Sequence, residues 1–176
     1  EACALQGIPL IHVSTDYVFD GTASGAYAEH DRVSPLGVYG ASKMAGEEAV
    51  RGRLAQHVIV RTAWIYSGFG ANFVKTMLRV GQERSSLRVV DDQRGCPTFA
   101  GDLAQALLSV ARRMLDGPVP SQGYGTFHCT NSGQTTWCGF ARKVFETAAP
   151  RLAAVPTIEP ITTAEYPTPA RRPTNS

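Results

Sequence analysis

The chain has 176 residues, a formal net charge of +2, 43% hydrophobic and 18% charged residues, which excludes a disordered polymer and fits one domain with a sizeable core. So weak a charge argues against nucleic acid as a partner. No apolar run approaches the roughly 18 residues of a membrane span, and no secretory signal is visible at the N-terminus.

The opening "EACALQGIPLIHVST" reads as the end of a helix, a turn at Gly7 and then a buried strand. With no start Met and no leading strand, it is expected to be the interior of a longer protein. The continuously apolar run 8–14 suits a parallel strand covered on both faces. A polar loop follows to about Pro35, then a helix over 36–55 with the good helix formers Met44, Ala45, Glu47, Glu48 and Ala49 and an apolar Leu54. Further strands are expected at 57–66, 87–92, 125–130 and 157–162, and helices at 72–83, 101–115 and 135–149. In the helix over 101–115, Leu103, Leu107, Val110, Met114 and Leu115 form one stripe, and Asp102 in the first turn suits the dipole. Thr135 or Thr136 can cap the helix over 135–149. Strands alternating with helices predict an α/β fold with a mainly parallel sheet, whose ligands bind beyond the carboxyl ends of the strands. Ser14, Thr15 and Trp64 fall at or near such ends.

Cys3, Cys96, Cys129 and Cys138 form no C-x-x-C pair, and the four histidines do not join them at metal-ligand spacing. They read as free thiols of a reducing cytoplasm, with no metal site. No internal repeat is present, and only "YPTPARRPTNS" has biased composition.

The chemistry-bearing stretch is "VYGASKMAGEE", 38–48. Helix positions four apart share a face, so Tyr39 and Lys43 face the same way. An ammonium beside a phenol favours the phenolate, and such a tyrosine can donate or accept a proton near neutral pH. Taken alone, Y-x-x-x-K fits an ordinary exposed helix face better than a site. The hydroxyls of Ser14 and Thr15 at the sheet's ligand edge change that weighing. A hydroxyl beside a tyrosine–lysine pair can bond a substrate carbonyl, which makes a ketone-reduction site lacking only a hydride donor.

Five blocks in order, "STDYVFDG", "SPLGVYGASKMAGE", "RTAWIYSGFGANFVKTM", "DDQRGCPTFAGDLA" and "YPTPARRPTNS", resemble the dTDP-4-dehydrorhamnose reductases of the extended short-chain dehydrogenase/reductase superfamily. The resemblance implies a Rossmann-like fold with helices on both faces of the sheet, its N-terminal part missing, plus a small C-terminal substrate-binding portion. It implies Thr15, Tyr39 and Lys43 as the catalytic triad, Trp64 against the sugar, and Ser14, Tyr39 and Lys43 toward the cofactor. Related nucleotide-sugar dehydratases resemble "TDEVYG" at 15–20, with an acidic pair that drives elimination; Tyr17 stands here where that glutamate would be, which favours plain reduction.

The family's leading G-x-x-G-x-x-G turn, which holds the cofactor pyrophosphate, is absent from these 176 residues. "GFGAN" at 68–72 lacks the third glycine and reads as a connection. The 176 residues by themselves are therefore expected to be inactive. The expected division is 1–115, part of an NAD(P)-binding domain carrying the catalytic residues, and 116–176, mainly substrate binding, with segments interleaved. An aromatic at a strand end is more often a core plug, but the resemblance gives Trp64 to the substrate; Trp137 reads as packing and Asn131 as a turn residue. Pro97 and Thr98 look like the family's substrate-side loop, and Arg171 and Arg172 suit a diphosphate, which guanidinium binds bidentately. The implied activity is reduction of the C4 ketone of dTDP-4-dehydro-L-rhamnose by NADPH or NADH, in a cytoplasmic route to dTDP-L-rhamnose for surface polysaccharide. Mg2+ in the parent and a homodimer are compatible with it. The alternatives are a reductase of another nucleotide sugar and a non-catalytic subunit similar to the beta subunit of methionine adenosyltransferase.

Overall fold

The computed structural model describes residues 1–117, 119–120 and 123–176. Along the chain run α1 (Ala2–Leu5), β1 (Leu10–Thr15), a 3₁₀ turn at Asp16–Val18, α2 (Val38–Arg51), β2 (His57–Thr62), β3 (Ile65–Tyr66), α3 (Phe73–Glu83), β4 (Ser86–Val90), β5 (Arg94–Gly95), β6 (Thr98–Phe99), α4 (Ala100–Leu115), β7 (Gly125–His128), β8 (Thr135–Thr136), α5 (Trp137–Ala148) and β9 (Thr157–Ile161).

The central sheet has the order β1-β2-β7, all parallel, with Leu10 to Thr15 opposite His57 to Thr62 and Val58 to Arg61 opposite Gly125 to His128. Every residue of β2 is buried, as a middle parallel strand requires. Its core joins Val58 and Val60 to Leu103, with Leu107, Val110 and Met114 of α4 packed around them. Leu115 departs from the expected stripe: one residue past Met114 turns it about 100° away, and it is 79% exposed.

A second pair, β4 and β9, is also parallel and is covered by α5. Its separate core holds Leu87, Val89, Cys138, Ala141 and Phe145, with Phe73, Met77 and Val80 of α3 against it. Strands from before and after residue 116 thus pair in the central sheet and in the β4–β9 pair.

Among the described residues, two α-helices begin on side-chain caps. Asn72 accepts from the Lys75 amide and Thr136 from the Gly139 amide, so "GFGAN" is the connection into α3 and Thr136 is the cap of α5. The helix expected over 36–55 ends at Arg51, because Gly52 takes the C-cap and leaves Leu54 outside. The strand expected over 57–66 is broken. Trp64 has φ +46, the one positive value outside glycine among the described residues, so β3 leaves the central sheet and pairs with β6. No peptide bond between described residues is cis, that before Pro97 included.

Candidate active site

The carboxyl end of β1 delivers Ser14 and Thr15, and the 3₁₀ turn follows at once. Gly40 lets α2 close on that turn: a Cβ there would run into the Tyr17 carbonyl and come 2.9 Å from the Pro35 Cβ. This close approach sets Tyr39 beside the turn, its ring edge-on to Tyr17 with centroids 5.9 Å apart. One helical turn on, Lys43 Nζ donates to the Val13 carbonyl at 2.6 Å. Thr15 is buried, and its Oγ1 contacts Asp16 Oδ1 at 2.9 Å while accepting from the Tyr17 amide at 3.2 Å. Tyr39 is 57% exposed. The structure therefore gathers Thr15, Tyr39 and Lys43 around the end of β1.

Beneath them lies a buried ion cluster. Glu47, on the inner face of α2, is 0% exposed. It accepts from Arg61 at 2.9 and 2.7 Å and from the Ser14 hydroxyl at 2.6 Å, and it also pairs with Arg51. Burial alone would raise its carboxyl, but the Arg61 and Ser14 bonds and the charges of Arg61 and Arg51 hold it below the ordinary range. Ser14 is thus turned inward. His12, in β1 under Gly46, is pushed down by burial and by the Lys43 charge, so it adds no positive charge beside Lys43 at neutral pH.

Trp64 stacks on Trp137, with centroids 3.5 Å apart and planes 6° from parallel. On its ring also sits Gly95, where a Cβ would lie 2.5 Å from Trp64 Cε2. Trp137 opens onto a cleft of about 310 Å3 lined also by Phe73, Met77, Arg88, Tyr166 and Arg172. The Trp64 carbonyl accepts from the Thr98 amide at 3.2 Å, which brings the loop at 96–98 alongside. Thr98 is 1% exposed and its hydroxyl bonds the Cys96 carbonyl; it holds that loop and does not face the cleft. Asn131 ties the Phe99 amide to Asp102 across the loops, a structural role.

Arg171 and Arg172 are not on a loose tail. Thr174 Oγ1 donates to the Gly21 carbonyl at 2.8 Å, Asn175 to those of Ala23 and Gly25 at 2.9 and 2.7 Å, and the Arg94 amide to the Thr174 carbonyl at 2.9 Å. Gly21, at φ +77, permits the passage of Pro173, which a Cβ would meet at 2.6 Å. Clamped this way, Arg171 lines a narrow cleft of about 60 Å3 with Tyr17, Val38 and Tyr39. Arg172 reaches the larger cleft, and its charge works against the burial that raises the Tyr17 phenol.

A third cleft, of about 270 Å3, lies behind the turn and is lined by Asp16, Arg61, Thr62, Cys96, His128 and Ser176 among others. Neither this cleft nor Arg88 and Tyr166 is marked in the sequence, because each joins distant segments. Asp16 alone had a signal, its place beside Thr15. Among the described residues no three His, Cys, Asp or Glu side chains gather to hold a metal ion, and no helix is long and apolar enough to cross a membrane.

The whole chain, residues 1–176, matches the family described as the RmlD substrate binding domain. It is 48% identical over 176 residues to the dTDP-4-dehydrorhamnose reductase of Sinorhizobium fredii, covering 100% of this chain and 59% of that protein. It is 45% identical over 174 residues to that of Escherichia coli, covering 97% and 56%. Among solved structures, the Clostridium acetobutylicum dTDP-4-dehydrorhamnose reductase superposes with TM-score 0.89 at 41% identity, over 99% of this chain and 58% of that one. The Bacillus anthracis reductase in complex with NADP does so with TM-score 0.88 at 39% identity, again over 99% and 58%. The chain therefore spans less than two thirds of the length of these relatives.

Proposed function

Since the chain belongs to the RmlD substrate binding domain family, that of the dTDP-4-dehydrorhamnose reductases, we propose that in its full-length protein it reduces the C4 ketone of dTDP-4-dehydro-L-rhamnose to dTDP-L-rhamnose. The observation that carries this reading is the placement of Tyr39 and Lys43 on one face of α2, with Lys43 anchored at the Val13 carbonyl beside Thr15. A bound NADPH or NADH supplies the hydride. Lys43 suits the ribose of such a cofactor: it has three N–H donors, and the Val13 carbonyl takes one. Ser14 is committed to Glu47, so the cofactor contact falls to Lys43 and Tyr39.

As C4 gains its hydrogen and the carbonyl π bond breaks, the Tyr39 phenol gives its proton to the oxygen. The Lys43 ammonium stabilises the phenolate that results, and the exposure of Tyr39 lets solvent return the proton. Thr15 bonds the carbonyl and fixes its direction. Trp64 is given to the sugar: a tryptophan at positive φ costs about 1–3 kcal/mol of strain, as expected where a ring must be held at one angle. The aromatic cleft of Trp137, Phe73 and Tyr166 takes the base, and Arg171 and Arg172 take the diphosphate. Neither arginine pairs with an acidic side chain among the described residues. Pro97 and Thr98 shape the wall behind Trp64. The reading assigns Mg2+ no ligand in this chain.

The test is NADPH oxidation by the full-length protein with dTDP-4-dehydro-L-rhamnose, run beside a uridine-diphosphate keto sugar. Turnover confined to the thymidine substrate is expected. Turnover only with the uridine sugar would reassign the nucleotide, and binding without oxidation would give the protein to the non-catalytic subunits.

A further inference from the structure

A hydroxyl has one proton. Thr15 Oγ1 already accepts from the Tyr17 amide at 3.2 Å, and its second contact is Asp16 Oδ1 at 2.9 Å. If Asp16 is a carboxylate, it can only accept, so the Thr15 proton is spent on it and none is left for a substrate carbonyl. If Asp16 carries a proton on Oδ1, the bond runs the other way: the acid donates to the remaining lone pair of Thr15, and the Thr15 proton points outward.

The surroundings of Asp16 favour the second arrangement. The residue is 9% exposed, and Oδ2 has no hydrogen-bond partner among the described residues. Thr62 Oγ1 and His128 Nε2, both on the walls of the same 270 Å3 cleft, are likewise buried without partners. The nearby cation, Arg61 of β2, is committed to Glu47 and to the Glu29 carbonyl. The other titratable groups around Asp16 are Tyr17 in its own turn, Cys96 before β6 and His128 at the end of β7. None is an acid–base partner within salt-bridge distance. An ionised carboxylate with an unpartnered buried oxygen is costly, whereas a neutral acid is far less so. Burial pushes the Asp16 carboxyl upward, against the weaker opposing effects of the nearby Ser176 and Thr15 hydroxyls and of the Asp16 and Tyr17 amides.

We propose that Asp16 is a positioning residue of the reduction: as a neutral acid it donates to Thr15 Oγ1 and so aims the single Thr15 proton at the substrate carbonyl oxygen. The assignment rests on the reductase reading above. No bond to Asp16 breaks during turnover, and its proton stays with it. When Asp16 ionises, the Thr15 proton turns back and the carbonyl loses a donor.

The test uses the full-length protein with Asp16→Ala and Asp16→Asn. The alanine variant should lose about tenfold to hundredfold in kcat/KM, the worth of one hydrogen bond at the reacting oxygen. The asparagine variant should recover most of it, because its amide N–H donates at the same place and does not ionise. The ratio of Asp16→Asn to wild-type kcat/KM should then rise with pH as wild-type Asp16 ionises and level off at about the tenfold to hundredfold lost by the alanine variant. An asparagine variant as slow as the alanine one, or a ratio that stays flat across the pH range in which the Asp16 carboxyl titrates, overturns the proposal. A 13C-carboxyl NMR titration of wild type asks the same question without a variant or turnover. A carboxyl still protonated at neutral pH is expected, and titration of every aspartate below about pH 5 overturns it. A protein that keeps this proton yet oxidises no NADPH refutes the reductase reading while upholding the direction of the bond.

Discussion

Arg61 holds Glu47 through two parallel bonds, 2.9 and 2.7 Å long, with both side chains at or below 3% exposure. The pair ties the inner face of α2 to the middle strand, and so fixes the helix that carries Tyr39 and Lys43. Removing one partner leaves a buried charge without compensation. Glu47→Ala is expected to cost about 3–5 kcal/mol, read as a lower denaturant midpoint at constant slope.

The same carboxylate predicts an acid limb of stability. Its folded pKa lies below the ordinary value, so its contribution is complete above the unfolded pKa of about 4.3 and is lost as pH falls through the folded one. Stability of wild type should drop over that acid range, and Glu47→Gln should flatten the drop. An unchanged acid profile in the variant would place the titrating group elsewhere.

Gly40→Ala should separate α2 from the turn at Asp16–Val18, because the new methyl group meets the Tyr17 carbonyl, which is backbone and cannot swing aside. Overpacking of this kind costs about 1–3 kcal/mol. Turnover should fall with it, since Tyr39 is the adjacent residue. A variant with wild-type melting temperature and kcat would show that α2 can slide without consequence.

Tyr39→Phe keeps the ring against Tyr17 and removes only the proton. In the full-length protein kcat should fall about a hundred- to ten-thousand-fold, with substrate binding within a few-fold of wild type. Loss under about fivefold would mean that another group protonates the oxygen.

Trp64→Ala separates two roles. Loss of a sugar contact made in ground and transition states alike should raise KM more than it lowers kcat, by about 1–3 kcal/mol on the scale of aromatic stacking. Loss of the Trp137 stack should cost only about 0.5–1.5 kcal/mol of stability beyond buried area. A collapsed melting temperature with unchanged KM would make Trp64 a core residue.

What the sequence makes legible is local. Tyr39 and Lys43 share a face through helix periodicity alone, and position narrows the cap of α5 to Thr135 or Thr136, of which Thr136 supplies it. The breaks lie where distant segments decide. Trp64 stands inside what reads as one strand, yet its backbone turns left-handed at φ +46 and its carbonyl is taken by the distant Thr98 amide. Glu47 reads as a helix former, because its partners Ser14 and Arg61 lie 33 and 14 residues away. Pattern says nothing of the clefts, whose walls are drawn from three or more separate segments.

The bonds that clamp the segment bearing Arg171 and Arg172 set an order of events in folding. Thr174 reaches Gly21 across 153 residues, whereas β1 and β2 pair across fewer than fifty. Closing the longer loop is entropically the more demanding step, and contacts of such separation slow the search for the native state. The central strands and α2 can therefore be in place, with Tyr39 and Lys43 already aligned, while the two guanidinium groups are still adrift. A refolding chain should recover its far-ultraviolet spectrum before it recovers affinity for a diphosphate.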